Sequence, residues 1–264
     1  MAVRLAAAGC VAPDDEAREL RRDDPDAAEL EARVRRREAG EPLEWITGRA
    51  RFCALTLHVA PGVYVPRHQT EMLARRATGA LPARGKAVDL CTGSGAVAAS
   101  MRHARPHASV IGVDVDERAA RCATRNGVHT IVGDLATPVR AHGAVHVVTA
   151  VAPYVPTGQR RLLAGDVQRH EPASSLDGGD DGLAVVRRVV EQAVTLLRPE
   201  GVLLLELGGA QDELLAPHLA HHGFIDVESW LDDDGDLRGI SARRAGAGPA
   251  GPARWDGAIG GERR

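Results

Sequence analysis

Apolar and polar positions along this chain follow more than one period, and each change of period marks a change of element. Up to about residue 40 the apolar positions are sparse and spaced as on one helix face. "PDDEARELRR" opens on Pro13 with acids in its first turn and bases behind them, the order a helix dipole favours. A second helix is predicted over 26–39, stopped by Gly40, and its basic run "RVRRREAGE" reads as a solvated face. "FCALTLHVAPGVYVP", residues 52–66, alternates apolar positions about Pro61-Gly62, a β-hairpin pattern. From residue 70 the periods alternate. Helices are predicted over 70–81, 95–106, 117–127, 182–197 and 211–223, and strands over 87–91, 109–116, 129–135, 143–151 and 201–208. Two closing strands within 224–244 flank an Asp-Gly turn. Apolar strands between helices predict an α/β fold, a largely parallel sheet covered on both faces.

The pattern divides the chain into a short helical segment (1–40), a linker and hairpin (41–68), an α/β domain (69–244) and a Gly-, Pro- and Arg-rich tail (245–264) expected to be disordered. With 44% hydrophobic but only 3% aromatic residues among 264, the core must be filled by Ala, Val and Leu. A net charge of -3 gives no basic surface for nucleic acid. Cys10, Cys53, Cys91 and Cys122 are widely spaced, without a CxxC pair, so neither a disulfide framework nor a zinc site is expected. No apolar run reaches the roughly 18 residues of a membrane span. These features predict a cytoplasmic, metal-free, monomeric protein.

Chemistry enters with "VDLCTGSGAVA", residues 88–98: a strand, a glycine turn at Gly93 and Gly95, then a helix whose first N–H groups are free for a ligand. The string also fits the loose G-x-G-x-x-G/A dinucleotide pattern. Asp89 lies four positions before Gly93, and Asp114 ends the next strand, where an acid bonds ribose hydroxyls. A carboxylate beside the loop would repel a pyrophosphate but would attract the ammonium of S-adenosylmethionine. Asp134, in "VGDL", falls where an adenine amino group would lie. The candidate cofactor set is therefore Asp89, Cys91, Thr92, Gly93, Gly95, Asp114, Val115, Gly133, Asp134 and Leu135.

"DLCTGSG", "GVDVD", "GDL" and "APYVP" stand in this order. Around them lie a P-R-x-x-T-E string at Pro66, Arg67, Thr70 and Glu71, and "HEPASSLDGGDDGL" from His170 to Leu183. Over residues 41–240 the chain thereby resembles the protein-(glutamine-N5) methyltransferases of peptide-chain release factors, within the Rossmann-like class I S-adenosylmethionine-dependent methyltransferases. The resemblance implies a mostly parallel sheet with its last strand antiparallel, S-adenosylmethionine as cofactor and a release factor or another protein as substrate. It also implies an acceptor loop at Val151, Ala152, Pro153 and Tyr154, in place of the family's N-P-P-Y. There the Asn oxygen and the following carbonyl accept both amide protons and aim the nitrogen at the methyl group. Ala152 keeps the carbonyl, but Val151 accepts nothing. His146, where the family has an acid, reads as a packing change; Arg67 and Glu71 read as fixing the hairpin against the loop. The N-terminal segment is shorter than the family's. Glutamine methylation, a different and small-molecule acceptor, and cofactor binding without turnover all stay open; an NAD-dependent dehydrogenase lacks its hydride-transfer residues.

Overall fold

The computed structural model describes residues 1–246, so all but the first two residues of the expected tail lie outside it. Helices α1 (Ala2–Ala7), α2 (Pro13–Leu20) and α3 (Ala27–Glu38) pack through buried Leu5, Ala17, Leu20 and Val34. Asp26 caps α3 by accepting the Glu29 N–H at 2.8 Å. In the basic run, Arg35 and Arg36 make outer ion pairs, whereas Arg37 turns inward to Glu16 at 2.5 Å. A short helix α4 (Leu43–Thr47), unsignalled in the sequence, buries Trp45 and Ile46 and ends at Gly48 in the left-handed region (φ 72°).

The hairpin pairs β1 (Arg49–Phe52) with β2 (Leu55–His58), Phe52 opposite Leu55, so the turn is Cys53-Ala54 and not Pro61-Gly62. Pro61 has no N–H to give a ladder, and residues 59–66 run on as irregular chain. Val59 and Val65 of that run pack with Trp45, whose indole N–H donates to the Val63 carbonyl at 2.9 Å. The turn is fixed from the α/β domain: Glu71 accepts the Cys53 N–H at 2.8 Å.

The α/β domain runs α5 (Glu71–Ala80), β3 (Lys86–Leu90), α6 (Ala96–Ala104), β4 (Ser109–Asp114), α7 (Glu117–Arg125), β5 (His129–Val132) and β6 (Val145–Ala150). It continues with α8 (Gly165–His170), α9 (Ala184–Leu196), β7 (Leu197–Glu206), α10 (Gln211–His221), β8 (Phe224–Leu231) and β9 (Leu237–Arg244). Seven strands form one sheet in the order β5-β4-β3-β6-β7-β9-β8, with β9 antiparallel to both neighbours. β7 begins four residues earlier than the periodicity predicts, through an irregular register against β6. Both sheet faces are buried. Val88, Leu90, Val148, Leu203 and Leu205 face α9 and α10, while Ala87, Val147 and Leu204 face α5 and α6. Their near-continuous apolar runs are those of strands with helices on both sides. The chain winds outward from β3 to β5, then crosses back to lay β6 against the other side of β3. The loops after β3 and β6 therefore diverge, leaving a crevice at the carboxyl ends of the strands.

Candidate active site

The loop after β3 is built for close approach. Cys91, Gly93 and Gly95 all adopt positive φ (55°, 56° and 79°), and the Thr92 N–H donates to the Val113 carbonyl at 3.0 Å. The two glycines do different work. A Cβ on Gly93 would meet nothing within 4 Å and would project into open space, whereas one on Gly95 would strike Ala123 at 2.8 Å. Gly93 keeps the loop open to a ligand; Gly95 lets α6 pack on α7.

The crevice is one cleft whose walls include Asp89, Cys91, Thr92, Gly93, Asp114, Val115, Asp134 and Leu135, together with Val151 and Pro153 of the acceptor loop. Two residues of the expected cofactor set are not on this wall. Gly95 faces α7, and a Cβ on Gly133 would press on Pro138 at 2.7 Å, so both are packing glycines. Asp89 is 2% exposed; its carboxylate accepts the Thr149 and Thr92 hydroxyls, each at 2.6 Å. Burial pushes its pKa up to about 6, against those two bonds and with a smaller push from Asp114. Asp114 accepts the Gly93 N–H at 2.8 Å and the Asp116 N–H at 2.9 Å, and burial raises its pKa as well. Asp134 is half exposed and pairs with Arg188 at 2.5 Å. Four aspartates and one arginine line the cleft, and the arginine is already neutralised. Such a cleft attracts a cation and repels a pyrophosphate. This donor set fits S-adenosylmethionine, with its ammonium and sulfonium charges, and does not fit NAD.

The acceptor loop leaves β6 beside β3, with Ala150 opposite Leu90. Val151 stands on the wall between the cleft and a second chamber lined by Tyr64, Arg67, Gln69, Ala152, Tyr154 and Leu176, among others. The Tyr154 hydroxyl donates to Glu206 at 3.1 Å and accepts from Gln69 at 3.2 Å, and its carbonyl accepts from Gln211 at 2.8 Å. Burial, with Glu206 alongside, holds the phenol well above its usual pKa, so the hydroxyl keeps its proton. The "LDGGDDGL" string follows from this packing. A Cβ on Gly178 would meet the Pro153 carbonyl at 2.7 Å, and one on Gly182 would collide with the Tyr154 carbonyl and Gln211. Arg67 lies over the Tyr64 ring, 5.0 Å from its centroid, and pairs with buried Glu171. Glu71 thus ties down the hairpin turn, and Arg67 ties the segment after Pro66 to the chain beyond the acceptor loop. His146 sits at the far end of β6, accepting the Lys86 N–H at 3.1 Å, a structural contact.

Sequence reasoning did not single out Tyr64, Ser175, Arg188, Glu206 or Gln211 individually. Tyr64 and Ser175 lay within quoted stretches; Arg188, Glu206 and Gln211 reach the site from segments with no chemical signature of their own.

A model of the methyltransferase small domain matches residues 54–141. A release factor glutamine methyltransferase of Streptomyces coelicolor is 38% identical over 272 residues, covering 92% of this chain and 95% of that protein. The chain belongs to the release factor glutamine methyltransferase family. Members of this family are S-adenosylmethionine-dependent methyltransferases. A 4-amino-L-phenylalanine/4-methylamino-L-phenylalanine methyltransferase of Streptomyces pristinaespiralis is 40% identical over 191 residues, 67% of this chain and 65% of that protein. Among solved structures, the E. cuniculi complex responsible for methylating a translation termination factor superposes with a TM-score of 0.52. At 22% identity, covering 70% of this chain and 99% of that one, it shows the class I fold. Among the described residues no helix is long and apolar enough to cross a membrane.

Proposed function

We propose that this family member methylates the side-chain amide nitrogen of a glutamine, with a peptide-chain release factor as the protein substrate, acting as a single chain in the cytoplasm. The observation that carries this reading is the position of Val151 on the walls of both the cleft and the second chamber, with Pro153 lining the first and Tyr154 the second. In the proposal Asp89 faces the cofactor ammonium, Asp114 the ribose hydroxyls, and Asp134 with Leu135 the adenine. Bound S-adenosylmethionine supplies an electrophilic methyl group on a sulfonium. The chain's own work is orientation: the Ala152 carbonyl accepts one amide proton, Tyr154 and the prolines stiffen the loop, and Tyr64 lines both chambers. Val151 gives no second acceptor, so the reaction runs with one hydrogen bond fewer than an Asn would supply. Incubation with labelled cofactor and a release factor, followed by mapping of the label, tests this. Label on a glutamine amide supports it; cofactor binding without label on any glutamine sinks it.

A second reading has specific support. The chamber beyond Val151 is largely apolar, with Val155, Leu163, Val167 and Leu176 beside the two tyrosines. An aromatic amine keeps a more available lone pair than an amide and does not need both N–H groups accepted, and a 40% identical relative carries the name of an enzyme for such a substrate. Transfer of label to 4-aminophenylalanine, with none to release factors, would establish this reading in place of the first.

A further inference from the structure

Outside the cleft, one cluster has the makings of a metal site. His218, in the last turn of α10, and His222, just past its end, are four residues apart, with ring centroids 4.6 Å apart. Glu191 reaches them from α9: its carboxylate is 3.5 Å from His218 Nε2. One donor atom from each of the three residues lies within 4.8 Å of the other two. Tetrahedral zinc with bonds of roughly 2.0–2.2 Å needs donors about 3.4 Å apart; Glu191 and His218 are already near that spacing, and His222 lies within 4.8 Å of both. The set is two imidazoles and one carboxylate, and among the described residues no other three such groups converge.

The surroundings favour a cation. His222 is the C-cap of α10, at the negative end of the helix dipole. His218 Nε2 donates to the Arg187 carbonyl at 3.2 Å, a hydrogen bond that an ion would replace, and the Arg187 guanidinium is neutralised by Asp181 at 2.6 Å. His221, beside His222, is the remaining basic neighbour, its ring 5.1 Å away. α10 also has a structural need for a clamp. Pro217 sits inside it, removing one backbone hydrogen bond immediately before His218.

We propose that Glu191, His218 and His222 form a binding site for a divalent transition ion of the zinc class, clamping the end of α10 to α9. The clamp joins two helices that frame the active site: Gln211 begins α10 and holds the Tyr154 carbonyl, while Arg188 of α9 lines the cofactor cleft.

Titration of the metal-free full chain with zinc ions alone, against a chromophoric chelator, tests this. One ion should bind per chain and raise Tm in proportion to the logarithm of zinc concentration above Kd. His218→Gln and His222→Ala should each weaken binding at least about tenfold, the lower end of what even an outer partner costs. His221→Ala should leave binding unchanged. An unaltered S-adenosylmethionine titration confirms that each variant is folded. No saturable binding with a Kd under about 1 mM, equal binding by the His218→Gln/His222→Ala double variant, or equal losses in His221→Ala and His222→Ala would each overturn the assignment.

Discussion

Replacing Val151 by Asn asks whether one hydrogen-bond acceptor limits this enzyme. The two side chains are close in volume, so Val151→Asn changes polarity more than shape. Val151 is partly buried, packs against the apolar cluster below β3 and β6, and forms part of both chamber walls. A glutamine amide held by the Ala152 carbonyl alone leaves its second N–H against a valine methyl. An unpaired buried donor costs about 1–3 kcal/mol. At 1.36 kcal/mol per factor of ten, restoring the acceptor raises kcat/KM on a glutamine substrate by roughly 5- to 150-fold. Introducing an amide beside apolar packing costs stability of about 1–2 kcal/mol, a fall in Tm of about 2–8 °C. The assay measures methyl transfer from labelled S-adenosylmethionine to a release factor, beside the same assay on 4-aminophenylalanine. Val151→Ala serves as control, since it alters volume without adding an acceptor, and should give no gain. Unchanged or lower kcat/KM on glutamine in a folded, cofactor-binding Val151→Asn variant would refute the orientation argument.

Three further outcomes are expected. Asp89, with a folded pKa of about 6 against an ordinary value near 3.8, holds its proton more tightly in the folded chain than in the unfolded one. The associated stability of the cofactor-free protein is therefore full below pH 3.8 and lost as pH rises through 6, by at most about 3 kcal/mol. Affinity for cationic S-adenosylmethionine runs the other way, rising up to about tenfold per unit below pH 6 and levelling above it; calorimetry giving a flat profile from pH 5 to 8 would remove Asp89 from the site. Gly182→Ala forces a Cβ against the Tyr154 carbonyl and Gln211 at a φ of 76°, and should cost about 2–5 kcal/mol; a thermal melt matching the parent would show that the loop gives way easily. Asp134→Asn removes an ion pair about half exposed on both sides, so Tm should move by little, within about 1 kcal/mol, while cofactor affinity drops; equal affinity would place the adenine elsewhere.

The sequence alone settled whatever depends on local periodicity or on a contiguous string. Apolar runs over residues 87–91, 143–151 and 201–208 could be stable only between helices, which made the parallel sheet legible. The glycine turn after Asp89 and the acids closing the next two strands were legible as strings, and the structure brings Asp89, Gly93, Asp114 and Asp134 to one cleft. The hairpin turn was misplaced because Pro61-Gly62 is the stronger local signal. Cys53-Ala54 wins through contacts distant in sequence: the Glu71 carboxylate on the turn, and Phe52 and Leu57 in the core below. Gly93 and Gly95 look alike in the string; only the approach of α7 separates the glycine that faces open space from the one that packs. The partners of Tyr154, namely Gln69, Glu206 and Gln211, come from three separated segments that meet because β7 lies beside β6. The same holds for Glu191 with His218 and His222, which no spacing could have joined, since α9 and α10 become neighbours only by packing on one face of the sheet.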